Sequence, residues 1–108
     1  MRQFRFLDNK DYFGFEDLVF ENYLARGGVH RNIQTRMIFD NGWGVSVIQG
    51  PHTYGGEQGL YEMAVMLDGE IDYDNTVSNG DVIGYLTPDM VTEKMIEVQK
   101  LPNATTNI

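Results

Sequence analysis

The sequence predicts an α+β domain: a four- or five-stranded antiparallel sheet, connected as a meander, with one C-terminal helix packed on one face. Two observations carry that prediction. Between residues 37 and 74, tight turns and a glycine-rich loop separate four apolar runs of strand length, and one turn is Asp68-Gly69, the strongest short hairpin signal. Beyond it, Thr87-Pro88-Asp89 has the residues that start a helix, and Val91, Met95, Val98 and Leu101 recur on one helical face.

Residues 1–14 mix aromatic and charged side chains without a period and predict an irregular segment. Residues 15–24 (FEDLVFENYL) fit both a strand and a short helix. Their aromatic and β-branched content, with Gly27-Gly28 after them, favours a strand. Residues 33–40 form the next strand, with Met37 and Phe39 on one side and Arg36 and Ile38 on the other. Asn41-Gly42 reads as a second turn of the Asp-Gly kind, with Trp43 plugging the end of the sheet, and residues 44–49 return.

A glycine-rich loop, GPHTYGGEQG, spans residues 50–59. Residues 60–67 are apolar on both faces, which predicts a central strand. After Asp68-Gly69, Ile71 and Tyr73 alternate with Glu70, Asp72 and Asp74 as in a half-buried edge strand whose outward charges discourage pairing. Residues 75–80 read as a loop and 81–86 as a short extended or single-turn segment. The helix then runs to about Gln99, stopped by Pro102, and residues 103–108 form a frayed tail. Residues 15–102 thus make one domain.

Composition narrows the function. No apolar run approaches the roughly 18 residues of a membrane span, and no signal-peptide pattern opens the chain. Cysteine is absent, which removes disulfides, thiol catalysis and cysteine-ligated zinc, and fits a cytoplasmic protein. The net charge of −8 is unevenly placed: residues 1–36 carry +1 and residues 37–108 carry −9. Such a surface repels nucleic acid and anionic lipid and attracts basic proteins.

Among sites, the 50–59 loop is longer than a hairpin needs, which points to a contact surface formed by His52, Tyr54 and Glu57. It lacks the lysine-containing end of a phosphate-binding loop, and Glu57 would repel phosphate. His30 and His52 lie too far apart for a helical metal motif, so neither a metal nor a cofactor is expected. His52, Tyr54 and Glu57 offer only a weak acid/base set. Glu70, Asp72 and Asp74 do not follow the calcium-loop pattern. Along a strand they would stand about 6.6 Å apart, a spacing that mimics phosphates of a nucleic acid.

The segments FDNGWG, YGG, GLYE and DVIGYLT, spread over about residues 37–101, resemble a family of small tailed-bacteriophage proteins without an established activity. The resemblance implies a phage accessory protein in the host cytoplasm. Short phage genes often encode proteins that bind and block a host factor or defence system, anti-CRISPR inhibitors included. With the acidic half, this makes stoichiometric binding to a host protein with a basic surface, such as a nucleic-acid-binding enzyme, the leading expectation. A homodimer is compatible with it. The alternatives are a nucleotide-sequestering protein using Arg26, Arg31 or Arg36, and a minor virion or assembly component; an enzyme ranks last.

Overall fold

The computed structural model describes residues 11–24 and 31–104, and for residues 23, 24 and 31 the backbone alone. Strands β1 (Glu21–Leu24), β2 (Arg31–Ile38), β3 (Trp43–Gln49), β4 (Tyr61–Leu67), β5 (Glu70–Ile71) and β6 (Ile83–Leu86) precede helix α1 (Pro88–Gln99). The sheet is antiparallel, with β1 to β5 in sequential order. The α+β class and the helix over one face agree with the sequence.

The sheet has six strands rather than four or five because β4 carries two partners on one edge. Leu67 pairs with Glu70 of β5 near the end of β4, and Tyr61 pairs with Leu86 of β6 near its start. β5 and β6 are two pieces of one broken edge strand. Between them the chain leaves the sheet, and Val77 on this excursion is buried in the core, although residues 75–80 read only as a loop. A web of local bonds shapes the detour. Asn75 donates to the Asp72 carbonyl (2.9 Å), and its own Oδ1 accepts from the Ser78 amide (2.7 Å).

The core lies between α1 and the odd-numbered positions of the central strands. Register places Met37 beside Val45 and Val45 beside Val65, with Val47 beside Met63. These side chains meet Val91, Met95 and Val98 of the helix, all three fully buried. Each such burial contributes roughly 1.5–3 kcal/mol. The helix starts as its sequence dictates: Thr87 Oγ1 accepts from the Met90 amide at 3.2 Å, and Pro88 supplies a first residue with no amide hydrogen to satisfy.

The two turns differ. Asp68 (φ 55°) and Gly69 (φ 82°) both adopt left-handed backbone, as a two-residue hairpin of the twisted sheet requires. At Asn41-Gly42 only the glycine does. The turn is a wider one, closed by the Gly42 amide on the Phe39 carbonyl (3.0 Å). The asparagine side chain serves another purpose. Its amide donates to the carbonyls of Val98 (2.9 Å), Gln99 (3.2 Å) and Leu101 (3.1 Å), while its Oδ1 accepts from the Trp43 amide (3.1 Å). It therefore adds a donor to carbonyls at the helix end, where several lack an intrahelical amide. Trp43 Nε1 donates to Pro102 O (3.0 Å) and the Ala104 amide to Asn41 O (2.7 Å), so the segment expected to fray from Asn103 is held as far as Ala104. Residues 105–108 lie outside the described residues.

Residues 15–24 correct the expected strand. Phe15–Asp17 is a 3-10 turn, and the strand begins only at Glu21. The Asp17 carboxylate accepts from the Gly14 amide (2.9 Å), and the Phe15 amide donates to Thr92 Oγ1 of the helix (2.9 Å). Phe15, Phe20 and Tyr61 then form a ring cluster with centroids 5.0–5.6 Å apart. Before the turn, Phe13 and the Gln99 side chain exchange two bonds of 2.9 Å. The part of the irregular segment that is described, residues 11–14, is thereby fastened to α1.

Met95→Ala should lower unfolding free energy by about 2–4 kcal/mol in chemical denaturation; a change under ~1 kcal/mol would mean that this helix face is not core. Asn41→Asp should destabilise more than Asn41→Ala, because it removes the donor and sets a negative charge against helix-end carbonyls. Equal losses in the two variants would show that those three contacts carry little.

Candidate functional site

The 50–59 loop is an organised structure rather than a slack connection. Thr53 closes its first turn, its hydroxyl accepting from the Gly50 amide and donating to the Gly50 carbonyl, both at 3.0 Å. A 3-10 turn, Gly56–Gln58, follows, and the Gly55 carbonyl accepts from the amides of Gln58 (3.0 Å) and Leu60 (2.9 Å). Tyr54 ties the middle of the loop to two strands. Its amide donates to Glu62 Oε1 of β4 (2.9 Å), and its carbonyl accepts from the Tyr85 amide of β6 (3.1 Å).

Close approach explains two glycines here. A Cβ on Gly56 would collide with the Gly50 carbonyl oxygen, and a Cβ on Gly84 would collide with the Cβ of Tyr54. The loop reaches β6 only because Gly84 presents bare backbone to Tyr54.

β6 is bulged at this contact. Leu86 faces Tyr61 while Ile83 faces Met63, so Gly84 and Tyr85 together stand opposite the single residue Glu62. Tyr85 takes a left-handed conformation (φ 59°), which costs a side-chain-bearing residue roughly 1–2 kcal/mol. Bulges of this sort re-aim side chains at sheet edges. Tyr85 is 54% exposed, so burial offsets the strain only in part. Sequence reasoning passes over Tyr85; the available signal is a glycine inside an extended segment, which suggests a bulge.

Tyr54 is 55% exposed, and His52 and Glu57 are also exposed. His52 and Glu57 share a shallow hollow of about 230 Å³ with Thr53, Gln58 and Tyr85; the aromatic wall is Tyr85 rather than Tyr54. A second shallow hollow, about 390 Å³, lies on another side of Glu57 and is lined by Asn22, Ile33, Gln49 and Gly50. Arg36 is exposed on β2 and lines neither hollow. Arg26 and His30 lie outside the described residues, as does the Arg31 side chain.

Glu70, Asp72 and Asp74 do not form the evenly spaced row of the sequence reading. The strand ends at Ile71, and Asp72 turns the chain: its Oδ2 accepts from the Asp74 amide (3.0 Å) and from Asn75 Nδ2 (3.1 Å). Ile71 and Tyr73, expected to face the core, are 45% and 53% exposed. The reason is the excursion, which fills the core with Val77 instead.

The result is a distinctive edge. Six large apolar side chains are exposed among the described residues, and five of them (Tyr54, Ile71, Tyr73, Tyr85 and Met90) lie on β5 and β6 or on the segments adjoining them. From residue 37 to residue 93 the sequence has ten carboxylates and no lysine or arginine. The two lysines that follow sit on or at the end of α1. Lys94 is 3.6 Å from Glu97, and Lys100 lies over the Tyr12 ring at 5.6 Å. Among the described residues no group of three or more histidine, aspartate or glutamate side chains is arranged to hold a metal ion, and no helix is long and apolar enough to cross a membrane.

No protein-family model, curated protein or solved structure matches this chain.

Proposed function

We propose that the protein acts by stoichiometric binding to a basic protein partner through the β5–β6 edge and the 50–59 loop. The observation that carries this reading is the coincidence of exposed aromatic side chains with a stretch of chain that has carboxylates and no lysine or arginine. Large rings supply contact area at low entropic cost, and one-signed charge steers an oppositely charged partner and raises its association rate. In the setting implied by the resemblance to tailed-phage proteins, the partner is a host protein and the role is host takeover or defence inhibition. Nucleic-acid mimicry by a ladder of carboxylates loses its geometric support once the strand stops at Ile71.

Recovery of a host protein on the immobilised chain, followed by binding kinetics, tests the proposal. Tyr54→Ala keeps the Cβ and both backbone bonds, so unfolding free energy should change by less than about 0.5 kcal/mol while complex formation is lost. Glu70→Gln with Asp74→Asn should mainly slow association, and raised salt should do the same; Asp72 is left in place because it holds the turn. A complex indifferent to salt and to Tyr54→Ala would refute the reading.

A further inference from the structure

Tyr85 and Glu57 stand on the walls of one polar hollow, with His52, Thr53 and Gln58 beside them. Among the described residues Glu57 has no ion-pair partner. The ring of Tyr85 is turned outward by a strained bulge, and residues 37–93 hold no lysine or arginine to cover it. Elsewhere the chain itself fills a comparable place, since Lys100 lies over Tyr12. A hollow lined by both an aromatic ring and a carboxylate suits a guanidinium group better than an ammonium. The planar guanidinium stacks on the ring while its fork of N–H donors meets both carboxylate oxygens, whereas an ammonium offers a compact point charge.

We propose that this hollow receives one arginine side chain of the basic partner protein, stacked on Tyr85 and paired with Glu57. The inference rests on the binding function proposed above and adds the identity of the anchoring group. Carboxylates along the same edge of β4 (Glu62 near the hollow, and Glu70, Asp72 and Asp74 toward the far end of the strand) favour a cationic segment without specifying its geometry; the hollow supplies the specificity. Tyr54, fixed beside it over Gly84, adds a second exposed ring against which flanking residues of the partner rest.

The test titrates a capped glycyl-arginyl-glycine peptide and its lysine counterpart into the intact protein, with backbone amide shifts followed by NMR. Saturable shifts should centre on Gly55, Glu57 and Tyr85, with the arginine peptide binding about ten-fold tighter than the lysine one. Free arginine, whose own carboxylate is repelled by this surface, should bind more weakly than the capped peptide; tighter binding would overturn a protein-borne source. Glu57→Gln and Tyr85→Asn should each weaken the arginine peptide by roughly ten-fold, and Tyr85→Phe, which keeps the ring, should retain it. Equal affinity for the two peptides, shifts centred on another surface, or loss of binding in Tyr85→Phe would overturn the proposal. If a captured basic protein still bound Glu57→Gln and Tyr85→Asn normally while Tyr54→Ala abolished its binding, the arginine site would fail and the wider binding function would stand.

Discussion

Val77 is drawn into the core between the sheet and α1, and the path of the chain around β4 is set by that burial. To deliver this side chain the backbone leaves β4 just after Asp72, whose amide still bonds to the Val65 carbonyl (2.8 Å), and returns at Ile83. The strand that would have covered the β4 edge is thereby cut in two. Ile71 and Tyr73 lose the buried environment that their alternation suggests, and the returning strand rejoins with one extra residue. That extra residue turns Tyr85 to solvent beside Tyr54. One apolar burial, worth roughly 1.5–3 kcal/mol, thus shapes the exposed aromatic edge.

The broken edge also bears on association. Short edge strands, bulges and charged residues are the means by which sheets avoid pairing edge to edge. Here all three occur together: β5 has two residues, β6 is bulged, and carboxylates flank both. Strand addition is therefore a poor route for a partner. Contact through side chains is the better one, and the rings of Tyr54 and Tyr85 stand on a loop and a strand locked together by the Tyr85–Tyr54 backbone bond. A preorganised surface of this type loses little side-chain and loop freedom on binding.

What was legible in the sequence is what local chemistry decides. Asp68-Gly69 has one good conformation between two apolar runs. Thr87-Pro88 satisfies a helix start by itself, and Val91, Met95 and Val98 need only the helical period to share a face. The features that stayed hidden depend on distant partners. Asn41 resembles a hairpin residue, and only the arrival of the α1 terminus turns its amide into a cap for Val98, Gln99 and Leu101. Phe15–Asp17 has strand-like composition, but Thr92 and the Gly14–Asp17 contact make a turn of it. The candidate site divides in the same way. His52, Tyr54 and Glu57 were marked by an over-long glycine loop, whereas Tyr85 was not, because its exposure arises from a register shift between strands remote in sequence.

Tyr85 occupies a strained, exposed position that we propose serves contact with a partner and not the stability of the fold. Equilibrium denaturation of Tyr85→Gly measures this most directly, since glycine adopts the left-handed backbone freely and removes the ring. The variant should be as stable as the parent or up to about 1 kcal/mol more stable, the relieved backbone strain being partly offset by the greater freedom of glycine in the unfolded chain. A loss of more than about 1 kcal/mol would contradict it, because the ring would then be holding the fold together.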